Sequence, residues 1–309
     1  MVPATLSQRL WHWGQLAISL GLMVWIILQV DPAVMIQFYP KVSPVAWLLI
    51  VLAALGNITV QFWRWRLLIR EYSTDFHPGD ILPSFLAGFT FRLILPGGHA
   101  EITKIFLLPG RKRGKIVAFG LERFFQTFIK LMLIAGALGM LFPAHRLLAG
   151  MVAAGMLIVY FLTPVLPFWK KIEEKPTNGQ WTFLVNLGYS LLMFMFMGIQ
   201  YYLIFWKLYP VRWDFTLATV AFLWGSGLVP ITISGMGVRE WMASYLFPLQ
   251  GIPAGEGVAA ALVIFFLNSI LPALVGIYFI HRHRHHLKDI PPTLRQSGHQ
   301  IKHWLRSRK

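Results

Sequence analysis

Ser234-Gly235-Met236-Gly237-Val238-Arg239-Glu240 breaks an apolar stretch late in the chain with two glycines followed by a charge pair. An earlier stretch, Leu95-Pro96-Gly97-Gly98-His99-Ala100-Glu101, does nearly the same. Each follows an apolar run that carries a proline, loses helix at its glycines and regains it with a glutamate in the first turn. The surroundings are apolar enough for membrane depth. There, backbone outside a helix is tolerated only within protein or beside a polar cavity. Matching interruptions in two halves of a membrane protein point to a transport site between inverted repeats.

Composition supports a membrane setting. The 309 residues are 56% hydrophobic and only 13% charged, and several runs reach the length a bilayer crossing needs. Apolar length predicts an all-α polytopic protein with about six full spans, near 14–30, 44–63, 116–141, 147–168, 181–206 and 257–280. The regions 81–108 and 215–249 differ. As helices, 81–95 and 99–108 give about 22 and about 15 Å, short of a core of about 30 Å. In the later region, 215–233 gives about 28 Å and 236–249 about 20 Å. These read as two oppositely oriented helical hairpins, re-entrant or short-spanning, in an inverted-repeat arrangement. Residues 1–280 form one transmembrane domain in this reading, and 281–309 a basic cytoplasmic tail.

A net charge of +16 would suit nucleic acid, but its distribution does not. With the N-terminus placed inside, 20 lysines and arginines fall in inside loops and the tail, against 4 in outside loops. That is the positive-inside bias of a multi-pass protein with both termini cytoplasmic, here in a cell (inner) membrane, and no nucleic-acid partner is expected. The absence of cysteine excludes disulfides, thiolate metal sites and cysteine nucleophiles. His281, His283, His285 and His286 lack carboxylate companions and read as part of a solvated tail. No metal or cofactor is expected, and no phosphate loop supports direct ATP coupling.

Seven ionisable residues fall within or at the edge of the apolar runs: Arg92, Glu101, Glu122, Arg123, Lys130, Arg239 and Glu240. A charge at the bilayer centre costs at least about 2.5–3.5 kcal/mol, so such residues face a cavity or a partner. Lys130 reads as a residue that merely pairs with another charge or snorkels from a helix end, of no functional weight. Neighbours in sequence do not face each other on a helix. Glu122-Arg123 and Arg239-Glu240 are therefore expected to find partners elsewhere, across the two repeats. The glycines let a ligand approach the backbone, and the helix that starts after each break offers unpaired N–H groups to an anion. A phosphate held there, with charge-assisted bonds from Arg239 and Arg92, is a coherent pose. The expected substrate-binding set is Arg92, Gly97, Gly98, Glu101, Glu122, Arg123, Gly235, Gly237, Arg239 and Glu240, with no catalytic residue.

These residues carry a resemblance. Pro96-Gly97-Gly98 with Glu101, Glu122-Arg123-Phe124, and Pro230 with Ser234-Gly235-Met236-Gly237-Val238-Arg239-Glu240 resemble the transmembrane region of the lysylphosphatidylglycerol synthase family, also described as flippase-like. Lys104 stands where similar sequences often carry arginine. The resemblance implies lipid headgroup translocation or a related role in envelope lipid or lipid-linked glycan metabolism. It does not imply aminoacyl transfer, a task of the soluble domain of longer relatives.

The leading expectation is therefore a non-enzymatic translocase whose partner is a phospholipid or lipid-linked sugar. One alternative is a membrane-embedded transferase using Glu101 or Glu240 as acid and base, which would need a carboxyl pKa raised by apolar surroundings. Another is a non-catalytic partner of envelope lipid enzymes.

Overall fold

A computed structural model describes residues 32–73, 75–94, 100–163, 179–228, 232 and 235–282, with scattered positions between 14 and 28. Every regular element among them is helical. Gly97, Gly98, most of the first expected span and the tail beyond Arg282 lie outside the described residues.

The helices are α1 (Pro32–Phe38), α2 (Pro44–Tyr72), α3 (Pro78–Ile94), α4 (Arg113–Leu141), α5 (Arg146–Leu162), α6 (Gly179–Phe205), α7 (Trp213–Gly225), α8 (Val238–Leu246), α9 (Ala254–Phe265) and α10 (Leu271–Arg282). A 3₁₀ segment, Ala100–Leu107, returns the chain from α3, and a π turn, Phe266–Ile270, joins α9 to α10 without a break. Among the described residues, five helical stretches are long and apolar enough to cross a membrane: Pro44–Tyr72, Arg113–Leu141, Pro143–Leu162, Gln180–Phe205 and Ala254–Arg282. The chain is a multi-pass membrane protein.

Local sequence explains the boundaries. Ser43 caps α2, its hydroxyl accepting the Ala46 N–H at 3.3 Å, and Pro44 occupies the first turn, where its missing N–H costs nothing. The helix then runs nine residues past the expected end at 63, because Trp65, Leu68, Ile69 and Tyr72 are all buried. Helix α7 is shorter than the run 215–233 suggested. It stops at Gly225 and leaves about 20 Å of helix, too little to cross a bilayer core.

Two hydrophobic cores fill the molecule. One gathers Ile50, Phe194, Tyr201, Phe205, Val220, Leu223, Phe247 and Val258 through Ala261. The other gathers Trp65, Tyr72, Phe85, Phe89, Ile105, Phe119, Phe125, Tyr160 and Phe183. Helices α2, α4, α6 and the α9–α10 rod bury residues in both, so they run from end to end. Buried side chains of α3 and its 3₁₀ return belong to the second core alone, and those of α7 and α8 to the first alone. Each interrupted segment thus packs at one end of the long helices, and the two take opposite ends.

Close contacts lock α3 in place. Ser84 Oγ donates to the Lys104 carbonyl at 2.9 Å, and Thr90 Oγ1 donates to the Ala273 carbonyl at 2.7 Å. Gly276 lets α10 lie directly on α3, since a Cβ there would sit 2.3 Å from the Leu86 carbonyl oxygen.

Candidate functional site: a cation-lined cavity between two ion networks

Counting basic residues by loop leaves four inside the apolar runs, Arg92, Arg123, Lys130 and Arg239. All four line one cavity of about 590 Å³. Its wall takes Arg92 from α3, Arg123 and Lys130 from α4, Arg239 from α8, Gly227 and Thr232 from the second interruption, and Asn268 and Ser269 from the π turn. Among the described residues, no carboxylate lines it. The first and second interrupted segments therefore meet at this one space.

Behind Arg123 lies a buried ion network. The Lys104 ammonium donates to Glu122 Oε2 at 2.6 Å and to Glu101 Oε1 at 3.0 Å. Arg64 lies 3.6 Å from Glu122 Oε1, and the Arg123 guanidinium pairs with Glu101. Lys104 also sits over the Trp65 ring at 3.8 Å from its centroid, a contact that supports a desolvated cation. Room for the Lys104–Glu101 pair exists because Gly88 faces it: a Cβ at 88 would come within 2.9 Å of Lys104 Cδ. Buried charges persist only when paired and hydrogen-bonded, and this network pairs each carboxylate with two cations.

The second motif is built differently. Gly235 and Gly237 have φ of +76° and +84°, a region closed in practice to other residues. That backbone turns the chain into α8, where the Glu240 carboxylate reaches back to accept the Gly237 N–H at 2.7 Å. Arg239 then pairs with Glu240 itself, Nε donating to Oε1 at 3.0 Å, and stacks over Phe265 at 4.1 Å. This corrects the expected pairing across repeats. In the first helical turn the Glu240 carboxylate folds back to the Gly237 N–H, and Arg239 reaches it there, although mid-helix neighbours diverge. Glu122 and Arg123 do find partners elsewhere, but from α2 and the 3₁₀ segment.

Of the predicted residues, Arg92, Arg123 and Arg239 line the cavity. Glu101, Glu122 and Glu240 stand behind it, each engaged by a cation, and Gly235 and Gly237 shape the turn beside it. Arg92 donates to Ser269 Oγ at 3.0 Å. Three contributions went unseen in the sequence. Arg64, counted there as a loop residue, is wholly buried. It falls on the helical face of Asn57, Val60 and Leu68, all buried, and that spacing was the available signal. Lys130, read as merely pairing or snorkelling, lines the cavity with its ammonium 5.1 Å from the Trp224 ring centroid.

The third is an amide network under the cavity. Asn57 Nδ2 donates to Asn268 Oδ1 at 2.7 Å, Asn268 Nδ2 donates to Gln200 Oε1 at 2.6 Å, and Gln61 Nε2 donates to Asn57 Oδ1 at 3.3 Å. It ties α2, α6 and the π turn together at the site. Such turns recur at functional positions.

The family model for the lysylphosphatidylglycerol synthase TM region matches residues 12–276. A comparison with curated proteins finds no match. Both interrupted segments, the Glu122-Arg123 pair and every residue lining the cavity fall within the matched span, and the chain belongs to the family of the lysylphosphatidylglycerol synthase transmembrane region.

Proposed function

We propose that the protein moves the headgroup of an anionic phospholipid or lipid-linked glycan across the membrane, without chemical change, through the cation-lined cavity. The observation that carries this reading is the wall itself: four cations from both interrupted segments and α4, with no carboxylate among the described residues that line it. Arginine offers planar forks suited to phosphate oxygens, and a partly dehydrated cavity strengthens each such bond. The family supports a role with membrane lipid.

In this reading the two interrupted segments are oppositely oriented re-entrant hairpins of an inverted repeat. Their packing at opposite ends of the long helices, and the shortness of α7, support it. Both termini lie in the cytoplasm of a cell carrying the protein in its inner membrane. The bias supports this: with Arg64, Lys104 and Lys115 removed as buried, 17 inside basic residues still face 4 outside. An acid–base transferase is less well supported. Glu101 and Glu240, its candidate catalysts, are engaged by cations and do not line the cavity.

Lipid retained through purification tests the binding half of the reading. Native mass spectrometry of detergent-purified protein is expected to show anionic lipid bound to wild type and lost from the double variant Arg123→Gln, Arg239→Gln. Equal retention by both would remove these arginines from the site.

A further inference from the structure

The charge balance of the cavity says more about the ligand. Arg64, Lys104 and Arg123 share two carboxylates, Glu101 and Glu122, which leaves that network one positive charge in excess. Arg239 is balanced by Glu240. Lys130 meets no carboxylate among the described residues; its ammonium has only the Trp224 ring at 5.1 Å. With Lys130 protonated, and even with Arg92 left aside, the site carries two positive charges beyond its carboxylates among the described residues.

Those two charges reach the same space. Arg123 and Lys130 stand seven residues apart on α4, two helical turns, so both project from one face into the cavity. Their Cα atoms are about 10 Å apart along the axis, a span that one headgroup with two anionic centres can bridge. Opposite Lys130 the wall is Gly227, where a Cβ would lie 3.5 Å from the lysine Nζ, so the ammonium stands against bare backbone.

We infer that the preferred ligand is a lipid whose headgroup carries two negative charges, a phosphomonoester or a diphosphate, and that Lys130 selects for the second charge. This rests on the translocation reading above and gives it a substrate class. Uncompensated cations in a desolvated site are costly until an anion neutralises them. A phosphodiester neutralises one, a zwitterionic headgroup none, and an aminoacylated headgroup adds positive charge. A phosphomonoester is largely dianionic at neutral pH.

The test uses purified full-length protein in vesicles, with fluorescent phosphatidic acid, phosphatidylglycerol and phosphatidylethanolamine as probes, each corrected for protein-free vesicles. Wild type is expected to move phosphatidic acid about tenfold faster than phosphatidylglycerol, equivalent to about 1.4 kcal/mol. In Lys130→Met, phosphatidic acid and phosphatidylglycerol should move at the same rate. Lys130→Arg, which keeps the charge, should preserve the preference. Equal movement of the first two lipids by wild type, or an undiminished preference in Lys130→Met, would overturn the inference while translocation stands. If no lipid moves, translocation fails, and binding of the same lipids in detergent decides the inference alone. Tighter binding of phosphatidic acid that Lys130→Met abolishes supports it, and equal binding overturns it.

Discussion

Lys104 and Glu122, 18 residues apart, meet at 2.6 Å in the protein interior, the lysine wholly buried and the glutamate nearly so. The pair joins the 3₁₀ return of the first interrupted segment to α4, and Arg123, the next residue of α4, faces the cavity. The ion network thus works as a bracket. It fixes the height and rotation of α4, and through them the positions of Arg123 and Lys130.

Removing the lysine should show what the bracket contributes. Lys104→Met leaves Glu122 and Glu101 each short of one partner and is expected to cost about 3–5 kcal/mol, the usual range for breaking a buried pair. Pairing it with Glu122→Gln should recover part of that loss. Thermal unfolding followed by fluorescence-detected gel filtration measures both. A single variant as stable as wild type would show the network to be dispensable.

Two glycines make a contrasting pair. Gly276→Ala drives a methyl into the Leu86 carbonyl and Thr90 Oγ1, and is expected to cost about 1–3 kcal/mol by overpacking. Gly120 lines the cavity, and a Cβ there meets nothing within 4 Å. Gly120→Leu should fold normally, helped by helix propensity, yet fill the space and slow lipid movement. Folded yield and transport rate, measured on the same preparations, should separate the two variants.

Topology is open to labelling because the chain has no cysteine. Lys112→Cys precedes α4 and Trp213→Cys opens α7. An impermeant maleimide is expected to reach them from opposite sides, Lys112→Cys from the cytoplasm. Labelling of both from one side would break the opposed arrangement of the two interrupted segments.

Much of this was legible in the sequence, for a physical reason. Charges and glycine pairs inside apolar runs are costly unless used, so Arg92, Arg123 and Arg239 stood out and do share a cavity. Polar but uncharged residues gave no such signal. Asn57, Gln200 and Asn268 lie up to 211 positions apart, and only the fold reveals their network. Arg64 was hidden because its neighbours Trp63 and Arg66 mimic an interfacial end, although α2 continues to Tyr72. The Arg239–Glu240 pairing escaped a mid-helix rule that does not hold in a helix's first turn.

The central claim is that a lipid headgroup passes through the cation-lined cavity, and Arg239 gives its most direct test. Labelled anionic phospholipid would be followed between the leaflets of vesicles containing wild type, Arg239→Lys or Arg239→Gln at matched protein abundance. Lysine keeps the charge but loses the planar fork, and glutamine loses the charge as well. Movement is expected to fall in that order, from wild type to lysine to glutamine. Wild-type movement by well-folded Arg239→Gln protein would contradict the account.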